Sequence, residues 1–180
     1  MGLFDGTPSG VLSGIVFTTL LVGAAVGDIR HRRIPNRLVA ILAVLGVVFS
    51  ISEAAFIAGF LSGVVGFAVG LACWLPFYLL GWLGAGDVKL FAAAAAWLGP
   101  MRALEGAFIA ALLGALLAFV WMLRSYGVRN ALATLGMAVG SPGMLASGTE
   151  TARSRRTLPY GVAIALGALY AAWVPGLLFA

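Results

Sequence analysis

The stretch GWLGAGDVKL, residues 81–90, sets an aspartate and a lysine between two long apolar runs. A charged residue at the centre of a lipid-spanning helix costs roughly 2.5–3.5 kcal/mol on insertion scales. Three glycines frame Asp87, and glycine clusters punctuate helices. The stretch therefore reads as a break between spans, with Asp87 at the start of a helix and at the edge of a membrane.

The surrounding composition supports this. Of the 180 residues, 62% are hydrophobic and 9% are charged, and the mean hydropathy is +1.08. A soluble domain carries about 25% charged residues. The expected fold class is all-α: a polytopic membrane protein of about six transmembrane helices, forming one domain over residues 1–180. The net charge of +5 fits membrane-flanking anchors that meet lipid. No aromatic-basic interleaving of the kind a single-strand binder uses is present, so nucleic acid is not an expected partner. Cys73 is the one cysteine, which excludes an intrachain disulfide and a CxxC zinc site. The first ten residues, MGLFDGTPSG, lack a positive n-region, so the first apolar segment is expected to be a retained helix.

Apolar segments run over about 10–27, 38–51, 54–82, 88–99, 104–123 and 159–179. The second and fourth are short for full spans. Six spans put the loop 28–37, the loop near 83–89 and the stretch 124–158 on one side. That side holds ten of the eleven basic residues, and Arg102 alone falls opposite. The positive-inside rule then places the three loops in the cytoplasm and both termini outside. Gly59, Gly63, Gly66 and Gly70 share one helical face, as do Gly106, Ala110, Gly114 and Ala118; both stripes predict close helix packing. Pro35 is expected to start the second helix, and Pro76 to kink the third segment. Residues 124–158 read as a cytoplasmic polar loop, with an interfacial helix in its first half and a mobile loop over 141–157 that stands as a candidate gate.

Of the six acidic residues, Asp5, Glu53, Glu105 and Glu150 fall in tails or loops and are expected to be solvated. Asp28 closes the first segment and Asp87 opens the fourth, so they share a membrane depth although 59 positions apart. Asp28 reads either as an interfacial anchor beside Arg30 and Arg32 or as a functional group, because a helix C-terminus disfavours a carboxylate. Asp87 reads either as a helix cap or as a functional group beside bare backbone at Gly84 and Gly86. Two facing carboxylates share a proton and activate water, the chemistry of an aspartic protease. The competing nucleophiles are poor: there is no GxSxG elbow and no HExxH ligand set, so no metal or other cofactor is expected. His31, the one histidine, lies among arginines and reads as a solvated loop residue.

Asp28 followed by Arg32-Arg33-Ile34-Pro35-Asn36, then Gly84-Ala85-Gly86-Asp87-Val88-Lys89, then Leu158-Pro159-Tyr160-Gly161-Val162-Ala163 resembles the type IV prepilin peptidases, which are GxGD-class aspartic proteases. The resemblance runs from about residue 10 to 179, in the family's order. It implies a GxGD protease-like helical bundle in the inner membrane, with Asp28 and Asp87 as the catalytic pair. It also implies a prepilin or pseudopilin substrate with a basic leader and an apolar helix, cut after a glycine at the cytoplasmic face. Gly84, Gly86, Pro35, Asn36, Lys89, Pro159 and Gly161 would shape the substrate site and its loops. The long members carry an N-terminal methyltransferase region with paired CxxC motifs. This chain resembles instead the short form that serves tight-adherence pili, or the archaeal preflagellin peptidases, so N-methylation is not expected. Presenilin-type motifs fit poorly, since Gly27 precedes Asp28 and Tyr160 follows Pro159. Two other classes stay open on residues alone: a small transporter or channel using Asp28 and Asp87 as proton or cation sites, and a non-catalytic membrane scaffold.

Overall fold

A computed structural model describes residues 4, 8–126 and 160–174 of the chain. The described residues form five helices and no strand: α1 (Pro8–His31), α2 (Asn36–Glu53), α3 (Phe56–Leu79), α4 (Ala85–Tyr126) and α5 (Tyr160–Trp173). The helices α1 to α4 are long and apolar enough to cross a membrane, whereas α5 is a shorter apolar helix. At 1.5 Å per residue the 24 residues of α1 span about 36 Å, against a hydrocarbon core of about 30 Å.

Expected boundaries shift in informative ways. The fourth and fifth apolar segments stay separate as two helical arms within α4, divided at Gly99. Gly99 has φ 72° and ψ 171°, a conformation essentially reserved for glycine. Pro100 follows at once and opens the second arm, where its missing N–H leaves no carbonyl unserved. Gly-Pro thus ends one arm (residues 85–98) and starts the next (residues 100–126). The short second segment gains its length from polar flanks, since α2 starts at Asn36. Pro35, expected at the first helical position of α2, is instead the residue just before the helix, with φ −63° and ψ 125°. Its extended ψ suits the turn, and its carbonyl accepts the N–H groups of Leu38 and Val39.

The first arm of α4 is the axis of the bundle. Leu90, Phe91 and Ala92 to Ala96 are fully buried, and Trp97 and Leu98 nearly so. A helix apolar all round must be covered on every side. The cover comes from α2 and α3, while α5 packs chiefly on the second arm. The short side chains of Ala92 to Ala96 let those backbones come close.

The glycine stripe of α3 faces inward as its spacing predicts, with Gly59, Gly63, Gly66 and Gly70 all buried. Gly59 and Gly63 abut α2 at Ser50, Ile51 and Val47; Gly66 and Gly70 abut α4 at residues 91–99. A Cβ on Gly66 would overlap the carbonyl oxygen of Ala95. On the second arm, Gly106 and Ala110 meet Ala171 and Gly167 of α5 in the same manner. Phe4, Phe17, Phe49, Trp97 and Trp173 cluster with ring centroids 5.2–6.4 Å apart, and Trp97 donates to the carbonyl of Leu42 at 2.8 Å. This cluster ties α1, α2, α4 and α5 together at the end of the bundle away from Asp28 and Asp87.

Glu105 corrects the expectation of a solvated loop residue: it is 2% exposed inside α4. The helix resumes at Pro100, so no long loop exists there to hold it. Arg102, three residues earlier, donates to the Ala171 carbonyl in the last turn of α5 at 3.1 Å, where a cation suits the helix dipole. Glu53 and His31 are exposed, as expected, and Cys73 packs against the core. Asp5, Glu150, and the expected interfacial helix and gate within 127–159 lie outside the described residues.

Gly66→Leu should prevent bundle assembly, because its side chain meets backbone that cannot yield. The neighbouring Val65→Leu, on the exposed face, should be silent. Gly99→Ala should cost about 1–3 kcal/mol through its backbone conformation. Thermal unfolding of the purified variants in detergent checks all three.

Candidate active site

Three helix ends meet at one end of the bundle. α1 runs on through Asp28 to His31, so Asp28 lies within the last turn of a helix rather than in a loop. It is 8% exposed, which does not suit a simple interfacial anchor. A carboxylate there faces the negative end of the α1 dipole. The compensation comes from α5: the Gly161 backbone N–H donates to Asp28 Oδ2 at 3.0 Å. Gly161 is the second residue of α5, so the positive end of that helix meets the carboxylate. The contact needs glycine for space, since a Cβ would stand 2.8 Å from Oδ2 and 3.1 Å from the Asp28 Cβ.

Asp87 lies in the first turn of α4. Helix α4 starts at Ala85, so Asp87 is its third residue and Gly84 its cap. Asp87 Oδ2 accepts the Gly84 N–H at 3.2 Å, and the Gly84 carbonyl accepts the Asp87 N–H at 3.1 Å. The Asp87 side chain thus makes the half of a capping box that reaches back to the cap N–H; glycine at the cap has no side chain to make the other half. Asp87 is therefore not the cap residue it was expected to be, but from the third position of α4 it serves the cap N–H with one carboxylate oxygen.

Asp28 and Asp87 come to the same end of the bundle, where the turn after Asp28 seats Ile34 against Gly86, the residue before Asp87. Helix α1 packs mainly on α5 and only lightly on α4, so α5 mediates the approach of the two carboxylates. Tyr160, the first residue of α5, feels the Asp87 charge. Its ring fills the space beside Gly114, where a Cβ would overlap it. Sequence reasoning gave Tyr160 no role at the site. The signal was its place directly before Gly161, at the first position of a helix whose start faces the site.

The glycines of the 84–87 turn differ in role. Among the described residues, a Cβ on Gly84 would meet only Asp87 Oδ2, at 3.2 Å. A Cβ on Gly86 would face Ile34 at 3.5 Å, an ordinary contact. Gly86 thus receives the 32–35 turn, which docks Ile34 on the start of α4. Asn36 is exposed as the first residue of α2, and Lys89 is exposed on α4. Pro159 lies outside the described residues.

Two further residues were not assigned to the site from sequence. Arg32 has φ +50°, the one positive φ on a non-glycine residue among the described residues, and its charge acts on Asp28. Trp74 is 3% exposed, and its indole Nε1 has no hydrogen-bond partner among the described residues. Leaving such a donor unpaired costs about 1–3 kcal/mol. Trp74 follows Gly70 by one turn, and its ring meets Phe91, one turn beyond Asp87, at 5.8 Å. Among the described residues no group of His, Cys, Asp and Glu could hold a metal ion.

The profile of the type IV leader peptidase family matches residues 15–119, more than half of the chain. The chain belongs to the type IV leader peptidase family. The matched span contains Asp28, the 32–36 turn and the 84–89 turn. As a leader peptidase the protein is a protease, with prepilins as its general substrate class. Comparisons with curated proteins and with solved structures return no match.

Gly161→Ala tests the contact between α5 and Asp28. It should displace the Asp28 carboxylate and cut leader-peptide cleavage at least about tenfold, the loss expected when one group that positions the reacting centre moves. The unfolding temperature should fall only modestly, because alanine suits a helix interior.

Proposed function

We propose that this leader peptidase is a membrane-embedded aspartic endopeptidase whose catalytic pair is Asp28 and Asp87. One observation carries the reading: two carboxylates 59 positions apart in the chain come to convergent helix ends, Asp28 on the Gly161 N–H of α5 and Asp87 in the first turn of α4, where Gly86 meets the turn after Asp28. Each also accepts a backbone N–H, at 3.0 Å and 3.2 Å. Like charges this close are best held with a proton between them.

The chemistry follows from that shared proton. The ionised carboxylate takes a proton from water as the water oxygen bonds to the scissile carbonyl carbon. The protonated carboxyl gives its proton to the carbonyl oxygen. The resulting tetrahedral diol then collapses: one hydroxyl gives its proton to the ionised carboxylate as the carbonyl re-forms, the C–N bond breaks, and the departing amine takes the proton of the other carboxyl. The backbone bonds from Gly161 and Gly84 hold the two carboxylates in place through these steps, which spares reorganisation at the moment of reaction.

The substrate proposed is a prepilin or pseudopilin, with a short basic leader and an apolar helix, cut after a glycine. Such a chain can lie in the bilayer with its leader near the headgroups. The turn at Gly84 supports this reading because, among the described residues, a Cβ there would meet the Asp87 carboxylate and no other side chain. We place the site at the cytoplasmic face of the inner membrane, with about six spans counting both arms of α4, and with both termini outside. The charge distribution supports that orientation: Arg30, Arg32, Arg33, Arg37 and Lys89 all lie at the Asp28–Asp87 end. Arg102, at the other end, is engaged by α5 rather than acting as an anchor.

Asp28→Asn and Asp87→Asn should each abolish cleavage of a co-expressed prepilin, read as a mobility shift on a gel, while the protein stays folded in the membrane. The Asp87→Asn side chain keeps an oxygen that can accept the Gly84 N–H, so a loss of capping would not account for the defect. Full processing by either variant contradicts the assignment.

A further inference from the structure

Arg32 is the residue whose conformation is hardest to explain by packing. Its backbone N–H donates to the Asp28 carbonyl at 2.8 Å, which closes the last turn of α1. That position at a helix end is usually glycine, because φ is positive there. Arginine at φ +50° bears a conformational cost that glycine would not. The side chain is exposed, so it fills no hole that would offset the cost. Bound strain of this kind points to a use for the side chain.

The position supplies the use. Arg32 is one helical turn from Asp28, held there by the turn itself, and its charge acts on the Asp28 carboxylate. The other groups around that carboxylate are the Gly161 N–H and the Asp87 carboxylate, with Tyr160 next to Gly161. Among the described residues of this set, Arg32 brings the positive side-chain charge. Arg30, also in the last turn of α1, and Arg33, next in the turn, are exposed as well, and serve as internal comparisons.

We infer that Arg32 is a positioning residue for the dyad: its left-handed backbone turns a guanidinium toward Asp28 as the counter-charge that lets two carboxylates be held together. This rests on the assignment of Asp28 and Asp87 as the catalytic pair. A cation beside two like charges offsets part of their repulsion, and a helix-capping turn fixes it more firmly than a free loop would. Arginine is favoured over lysine for its planar, forked donors, although both carry the charge.

The test uses the full-length protein in detergent with a prepilin substrate. Arg32→Gly relieves the backbone and removes the charge; Arg32→Lys keeps both the strain and the charge. Arg32→Gly should unfold at the same or a higher temperature than the parent, yet lose kcat by about tenfold with KM changed less than about twofold. Arg32→Lys should recover most of that loss. Arg30→Gln and Arg33→Gln should stay within about twofold of the parent, since neither is placed by the turn against Asp28. If Arg32→Gly proves unstable, Arg32→Gln carries the same comparison with the backbone unchanged. Parental kcat in Arg32→Gly or Arg32→Gln overturns the inference, as does Arg32→Lys no better than Arg32→Gly. Equal losses in Arg30→Gln and Arg33→Gln overturn it too, because they assign the effect to the charge of the whole loop. Retained cleavage in Asp28→Asn or Asp87→Asn would instead overturn the catalytic pair itself, so the two failures are distinguishable.

Discussion

Backbone approach at the first arm of α4 is the constraint from which the rest of this structure follows. In lipid the hydrophobic effect does not drive helices together, so association relies on close packing and on interhelical polar contacts. The run from Leu90 to Leu98 is covered on all sides, and the cover is close because alanines face glycines. Gly66 and Gly70 of α3 seat against it, and Gly46 of α2 abuts Trp97 and Ala96. With this arm fixed, its first turn is fixed as well, and Asp87 is in that turn.

The second consequence concerns Asp28. Its place at the C-terminal end of α1 opposes the helix dipole, and burial adds to that cost. The structure answers with the N-terminus of α5, whose Gly161 N–H reaches the carboxylate. Helix α5 is held in turn by the second arm of α4, through Gly106 and Ala110, and at its far end by Arg102. A chain of contacts therefore runs from the break at Gly99, through the second arm, to the start of α5 and on to Asp28. The site is assembled by packing at a distance from it.

Much of this was legible in the sequence for physical reasons. Helices in lipid must satisfy their own backbone and must be apolar, so spans and polar turns stand out in composition. The glycine stripe at 59, 63, 66 and 70 followed from helical spacing, and the placing of Asp28 and Asp87 at one end of the bundle followed from depth. The illegible features depend on local dihedrals or on tertiary neighbours. Nothing in the residue types says that Gly99 takes a glycine-only conformation at the break between the two arms of α4. Glu105 looked like a loop residue because the turn there is only a glycine and a proline long. Pro35 fell one position outside the helix it was expected to open. Gly86 looked like room for a ligand, while Ile34 comes to it from a turn about 50 positions away in the chain. Pro159 and the 141–157 segment lie outside the described residues.

The central claim is that positions 28 and 87 are neighbours at one end of the bundle. Cysteines placed at both positions, in a Cys73→Ser background because the native thiol would compete, can be probed with a short bifunctional thiol reagent in native membranes. The account predicts an efficient intramolecular cross-link between 28 and 87, and none between position 28 and a cysteine replacing Glu53, at the other end of α2. Absence of the 28–87 cross-link, with both thiols reactive to a monofunctional reagent, would contradict it.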